Sequence, residues 1–223
     1  MRFWLWGVAA FACGCASVGP LGRARTLEVG HTEVVAAPSL GVLRAGGMVL
    51  PSVVVEAGAR RGFTERLEGG VRLWGLPGRG FSTFGGALEG KIQLRRSQTS
   101  AKGTDVALAT AAGYHQVTLG GAPSRAGVAS LTLMLGFNFS ERHQLILGPR
   151  VVDQLWTSPG ANTVNAVLFG ASVGFAWRLR PSFTLLPELS LMHSPTTLVQ
   201  GDQVVKSNGS NLLQLSVGLL FDT

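Results

Sequence analysis

Residues 211–221 read NLLQLSVGLLF. Leu213, Leu215, Val217, Leu219 and Phe221 fall on one side of an extended chain, with Gln214, Ser216 and Gly218 on the other. Side chains alternate sides along a strand, so this period of two predicts a strand with one apolar face. A half-buried strand of a soluble sheet shows the same pattern. The two cases separate on recurrence, and on what lies opposite the apolar face.

The pattern recurs upstream. In residues 51–60, Val53, Val55, Ala57 and Ala59 alternate with Ser52, Glu56, Gly58 and Arg60. In residues 66–74, Leu67, Val71 and Leu73 alternate with Arg66, Glu68, Gly70 and Arg72. Phe84, Leu88, Ile92 and Leu94 oppose Glu89, Lys91, Gln93 and Arg95. Residues 129–139 and 167–178 repeat it, with Ser130, Thr132, Gly136, Gly170, Ser172, Gly174 and Arg178 on the polar side. Weaker alternation over 31–42, 105–115, 144–153 and 183–193 brings the expectation to about ten strands, within a range of roughly eight to twelve.

Composition says which face meets what. The chain of 223 residues is 46% hydrophobic and 14% charged, with mean hydropathy +0.30. Soluble domains carry about 25% charged residues. Past the first dozen residues no apolar run approaches the ~20 residues of a membrane helix. Lipid admits only helices and closed barrels as spanning structures. The expected fold is therefore all-β, a closed antiparallel up-and-down transmembrane barrel over residues 30–223. Turns near 62–64, 97–104, 140–142 and 180–181 fall at one end, and loops near 44–48, 76–80, 116–124, 157–163 and 194–210 at the other. Short turns at one end and longer loops at the other are usual for such barrels. Arg60, Arg61, Arg95, Arg96 and Arg178 sit near strand ends, where arginines meet headgroups. Trp74, Phe81, Trp156, Trp177 and Phe183 are expected to form interfacial girdles.

The formal charge of +7 raises nucleic acid as a partner. The basic residues are scattered, with no basic helix or aromatic-studded basic stretch, so no nucleic-acid partner is expected. Both cysteines, Cys13 and Cys15, precede the barrel, so the body can hold no disulfide or cysteine metal site.

Residues 1–15 read as a signal peptide: Arg2, then an apolar run too short to span a membrane. The stretch Ala12-Cys13-Gly14-Cys15-Ala16-Ser17 resembles the bacterial lipobox, with Ala12 where that pattern prefers leucine. The resemblance implies lipidation of Cys15, and with Ala16 rather than Asp after it, export to the outer membrane. Ordinary cleavage after Ala16 is the alternative. Residues 16–29 are expected to be a periplasmic tether. The C-terminus resembles the outer-membrane assembly signal, ending its alternation on Phe221, two residues before the chain end. Over residues 30–223 the pattern resembles small outer-membrane barrels of the OmpA/OmpX-like kind, with ten strands instead of eight. That resemblance implies location in the cell outer membrane of a Gram-negative envelope, with outer-membrane lipid and the barrel-assembly machinery as partners. Other envelope proteins would engage the loop of residues 194–210.

Several patterns invite a catalytic reading. Gly85-Gly86-Ala87-Leu88-Glu89-Gly90-Lys91-Ile92 approximates a P-loop, but Ile92 replaces the magnesium-binding hydroxyl and a strand continues where a helix must begin. Gly170-Ala171-Ser172-Val173-Gly174 matches a nucleophile elbow, with Glu188 and His193 downstream, yet Ser172 lies mid-strand rather than at a strand-to-helix turn. The glycines suit thin lumen-facing positions better. The four histidines share no metal-ligand spacing, so neither metal nor cofactor is expected. Asp153 and His193 could be imagined at the rim of an outer-membrane hydrolase.

The polar face itself carries the candidate functional residues: Glu56, Glu68, Arg72, Glu89, Lys91, Arg150 and Glu188. Charges enclosed by a membrane are costly unless paired or functional. Barrels of about eight strands are filled by side chains, so an ion-pair network plugging the lumen is expected. The function expected is non-enzymatic: a structural or interaction component of the envelope. The alternatives are a narrow porin-like channel for ions or small solutes, and the rim hydrolase.

Overall fold

A computed structural model describes residues 22–45, 48–76, 81–99, 101–119, 122–157, 163–195, 197–200, 203–206 and 209–223. The strands are β1 (Thr32–Ala45), β2 (Met48–Gly62), β3 (Leu67–Leu76), β4 (Phe81–Arg95), β5 (Gly103–Leu119), β6 (Ala122–Ser140), β7 (His143–Thr157), β8 (Val164–Arg180), β9 (Phe183–Ser194), β10 (Thr197–Gln200), β11 (Gln203–Lys206) and β12 (Ser210–Asp222). Ten of them close a barrel in which each pairs with its neighbours in sequence; β12 joins β9 and seals against β1. β10 and β11 form a separate hairpin between β9 and β12. All pairings in the barrel are antiparallel.

The strand that decided the fold behaves as its sequence requires. Leu213, Leu215 and Phe221 stand exposed on the outer wall, while Gln214, Ser216 and Gly218 are buried inside. Phe221 packs on Phe183 across the β9–β12 pairing, ring centroids 5.1 Å apart. The same sorting runs around the wall. Leu40, Val55, Leu73, Leu88, Leu131, Val173 and Leu191 all point outward, Leu88 with 70% of its surface exposed. An apolar exterior this continuous far exceeds the patches a soluble monomer tolerates. In lipid it is the correct surface.

Three of the four turns between strands at the end where β1 starts and β12 ends are tight, between β2 and β3, β6 and β7, and β8 and β9. Register shifts at Gln93/Arg95, Asn138/Ser140 and Arg178/Arg180 lie beside turns of this end. Bulges of this kind commonly re-aim strands at barrel rims. The expected loop over 116–124 does not exist at that length: β5 runs to Leu119 and β6 starts at Ala122. Tyr114, Gln116, Ser124 and Arg125 hold strand pairing to the end of that hairpin, because their alternation continues past the apolar belt.

Two interface assignments need correction. Trp74 and Trp156 are not girdle residues; both are buried in the lumen. Arg60 is likewise enclosed and paired with Glu33 and Glu89 rather than facing headgroups. Arg178 meets Asp222. In each case residue parity outranks residue type. Arg60 shares its face with Glu56, Trp74 with Arg72, and Trp156 with Gln154.

Substituting Leu88 by Arg places a charge in the middle of the lipid-facing belt. The expected cost is about 2–4 kcal/mol at the bilayer midplane. It is read as a lowered urea midpoint of the heat-modifiable folded band in liposomes. Equal midpoints for this variant and wild type would show that the wall does not face lipid.

Candidate functional site

The seven charges expected on the inner face all point inward. They form pairs, but not in isolation. Arg72 bridges Glu56 at 3.6 Å and Glu89 at 2.8 Å. Arg60 bridges Glu89 at 3.2 Å and Glu33 at 3.5 Å. Lys91 meets Glu68 at 2.8 Å, and Arg150 meets Glu188 at 3.3 Å. Ser190 receives a second Arg150 hydrogen bond at 2.9 Å, and Ser39 donates to Glu56 at 3.0 Å. A buried charge stripped of its partner costs several kcal/mol, so these residues hold one another in place.

Room for such long side chains comes from small residues in the wall. Ala107, Ala109, Ala111 and Gly113 line the inner face of β5. A Cβ on Gly85 would fall on the Trp74 ring, so the glycine lets that ring lie across the wall. At Gly148 the nearest atom would be the Ser172 hydroxyl, at 2.7 Å. Beside this network lies a cavity of about 50 Å³, lined among others by Arg60, Arg72, Glu89, Lys91, Thr132 and Arg150.

Toward the loop end the lumen changes character. Trp74, Gly85, His115, Ala126 and Trp156 stand in register on five consecutive strands. Gly85 and Ala126 leave space for His115 between the two indoles, edge-on at 6.0 Å and 5.3 Å. Thr83 bonds His115 Nε2 at 2.6 Å, and Trp156 Nε1 donates to Gln154 at 3.0 Å. Around this rung pack Leu43, Val117, Val152, Leu168, Met192 and Leu212. Alternation did not reveal this apolar inner layer, because it placed apolar residues outside by default.

At the turn end the missing piece is the segment expected to be a tether. Residues 22–29 do not hang free; they fold into the barrel mouth. Arg23 bridges Glu33 at 2.8 Å and Asp222 at 2.7 Å. Burial opposes its charge, yet the two carboxylates more than offset that and hold the guanidinium above its ordinary value. Arg25 meets Asp105 at 3.3 Å. Ala24 is fully buried, and Gly136 clears its path, since a Cβ there would lie 2.6 Å from it. Residues 1–21, including the signal peptide and Cys15, lie outside the described residues.

The residues of the catalytic patterns lie on strands of the wall. Lys91 and the glycines before it are strand residues of β4. Ser172 is buried in the lumen while His193 is exposed on the outer wall, bonded to Asn211 at 3.0 Å. Asp153 also faces outward. Among the described residues no three of His, Cys, Asp or Glu group closely enough to hold a metal ion.

Neither a protein-family model nor a curated protein sequence matches the chain. Solved structures do. The outer membrane protease OmpT from Escherichia coli aligns with TM-score 0.50 and 10% identity, over 90% of this chain and all of that one. The COG4313 outer membrane channel from Pseudomonas putida F1 aligns with TM-score 0.53 and 13% identity, over 93% of this chain and all of that one. At such identities the likeness concerns fold, and one fold hosts many functions. The chain is a closed ten-stranded antiparallel barrel with the fold of these outer-membrane proteins, and its apolar belt is the surface that a lipid bilayer requires.

Proposed function

We propose that this barrel is a closed, non-enzymatic component of the outer membrane that acts as a structural or interaction element of the envelope. The observation that supports it is the filled lumen. Ion pairs occupy its middle, the Trp74–His115–Trp156 rung and its apolar neighbours occupy the loop side, and residues 22–29 occupy the turn end. A cavity of about 50 Å³ has room for a few waters at ~10–15 Å³ each, not for a continuous path. Function then falls to the surfaces outside the lumen. The loop end is the natural partner surface for other envelope proteins, chiefly residues 194–210, where β10 and β11 form a hairpin.

Purified wild-type protein in planar bilayers is expected to give no steady single-channel steps. Regular steps that vanish on neutralising Lys91 or Arg150 would favour the narrow channel instead. The network also sets a stability pattern. Arg150→Met leaves Glu188 without its partner and should destabilise the barrel by about 3 kcal/mol, whereas adding Glu188→Leu should recover more than half. Urea midpoints in liposomes measure both. Simple additivity of the two changes would show that the pair is not coupled.

The proposal extends to the N-terminus. Signal cleavage before Cys15 and its lipidation would anchor the mature chain beside the turn end. Metabolic palmitate labelling should then be present in wild type and lost in Cys15→Ser. A wild-type chain without label supports plain cleavage after Ala16.

A further inference from the structure

The barrel wall alone does not balance its charges. Among the described residues, the ion pairs of the lumen and its mouth involve seven acids borne on strands: Glu33, Glu56, Glu68, Glu89, Asp105, Glu188 and Asp222. They involve five strand-borne bases: Arg60, Arg72, Lys91, Arg150 and Arg178. The excess of two acids is met by Arg23 and Arg25, neither of which belongs to the wall. Glu33 and Asp105 are buried almost completely, so enclosure without a cation would be costly.

The wall is also shaped for a polypeptide backbone. Gln144 accepts from the Ala24 amide at 3.1 Å, Gln93 from Thr26 at 2.7 Å, and Glu68 from Leu27 at 2.9 Å. Lys91 donates to the carbonyls of Arg23 and Arg25 at 3.0 and 3.3 Å. These four side chains are themselves buried in the mouth. Donors and acceptors are thus set at the spacing of one passing chain, whatever its side chains. Side chains add selectivity: acids for Arg23 and Arg25, a tight place for Ala24, and the Glu65 carbonyl for the Thr26 hydroxyl at 2.9 Å. The segment makes one isolated bridge with the wall, Val29 to Gly62, and forms no strand of its own. On its far side lies a mouth cavity of about 570 Å³, bordered by Arg23, Arg25 and Leu27 and by wall residues Asn138, Arg178 and Asp222. The bound segment therefore has an unpacked flank through which it can leave.

We propose that the turn-end mouth is a peptide-binding site, filled here by the chain's own residues 22–29. Its ligand class is a short polypeptide segment with two arginines two residues apart, a small residue between them, and Thr-Leu following. A partner polypeptide carrying that pattern exchanges with the copy held in cis. The inference stands apart from the closed-barrel reading, since a conducting barrel could bind the same segment.

Gly62→Val in the full chain tests it. A Cβ at Gly62 would fall on the backbone carbonyls of Leu27 and Glu28, so the substitution displaces the segment without touching any charge. Trypsin should then cut after Arg25 in the folded barrel about tenfold faster than in wild type. A second full-chain variant, Arg23→Glu with Arg25→Glu, releases the segment by charge and leaves the wall intact. A fluorescein-labelled peptide of residues 22–29 should bind this second variant at least about tenfold more tightly than it binds wild type, whose site is occupied. It should bind the Gly62→Val variant no better than wild type, because the peptide meets the same clash at position 62. The same peptide with both arginines changed to glutamate should lose about tenfold in affinity for the second variant, near 1.4 kcal/mol. Equal binding of the two peptides, equal binding of the first peptide to wild type and the second variant, or no binding to the folded second variant overturns the proposal. Failure of both variants to fold overturns it too, because the segment would then be a structural part of the barrel. Channel steps from wild type would count against the closed-barrel reading alone.

Discussion

Closure of β1 on β12 is the constraint on which everything else depends. Residues 33–36 and 39–45 of β1 pair with β12, leaving the barrel no free edge. With the wall closed, each strand residue has two choices only, lipid or lumen. Lipid accepts no unpaired charge along the belt, so polar side chains on the spanning strands are driven inward. Carboxylates and guanidiniums from different strands are thereby forced into a space where they must find one another. The ion-pair network is a consequence of the wall before it is anything functional.

Pairing of that density needs volume, and the wall supplies it unevenly. β3, β4 and β7 carry Arg72, Lys91, Glu89 and Arg150, whereas β5 presents alanines and Gly113. Long side chains from strands on either flank fill the space that the short ones of β5 leave. Glu89 illustrates the result, since it receives both Arg60 and Arg72. Such shared partners make the network a unit in which a single deletion exposes more than one charge. Buried pairs seldom add net stability over apolar packing. Their persistence here fits a lumen that must be filled by whatever the lipid face rejects.

Much of this was legible in the residues. Alternation alone separated Leu88 from Glu89 and Leu215 from Gln214, and the seven charges on its polar face point inward. What stayed hidden had specific causes. Trp74 and Trp156 were read by type, as interface aromatics, although Trp74 lies two residues from Arg72 and so shares its inward face. The apolar inner layer of Leu43, Leu168, Met192 and Leu212 was invisible because apolar residues occupy both faces near the loop end. Residues 22–29 have no periodicity, and nothing local says that they enter a barrel. The signal that could have found them is global. Among the described residues the lumen ion pairs draw two more acids than bases from the strands, and the cations just ahead of β1 are Arg23 and Arg25.

The two ends of the lumen are thus lined by different means. At the loop end the seal is made of wall side chains, with His115 fixed between Trp74 and Trp156 by register on neighbouring strands. At the turn end the seal is a separate segment that meets the wall mainly through side chains. Breaking those contacts costs none of the hydrogen bonds that close the barrel. The loop end is thus filled by the wall itself, and the turn end by a segment that lies just ahead of β1. Any change of state in this molecule should therefore begin at Arg23, Arg25 and the carboxylates that hold them.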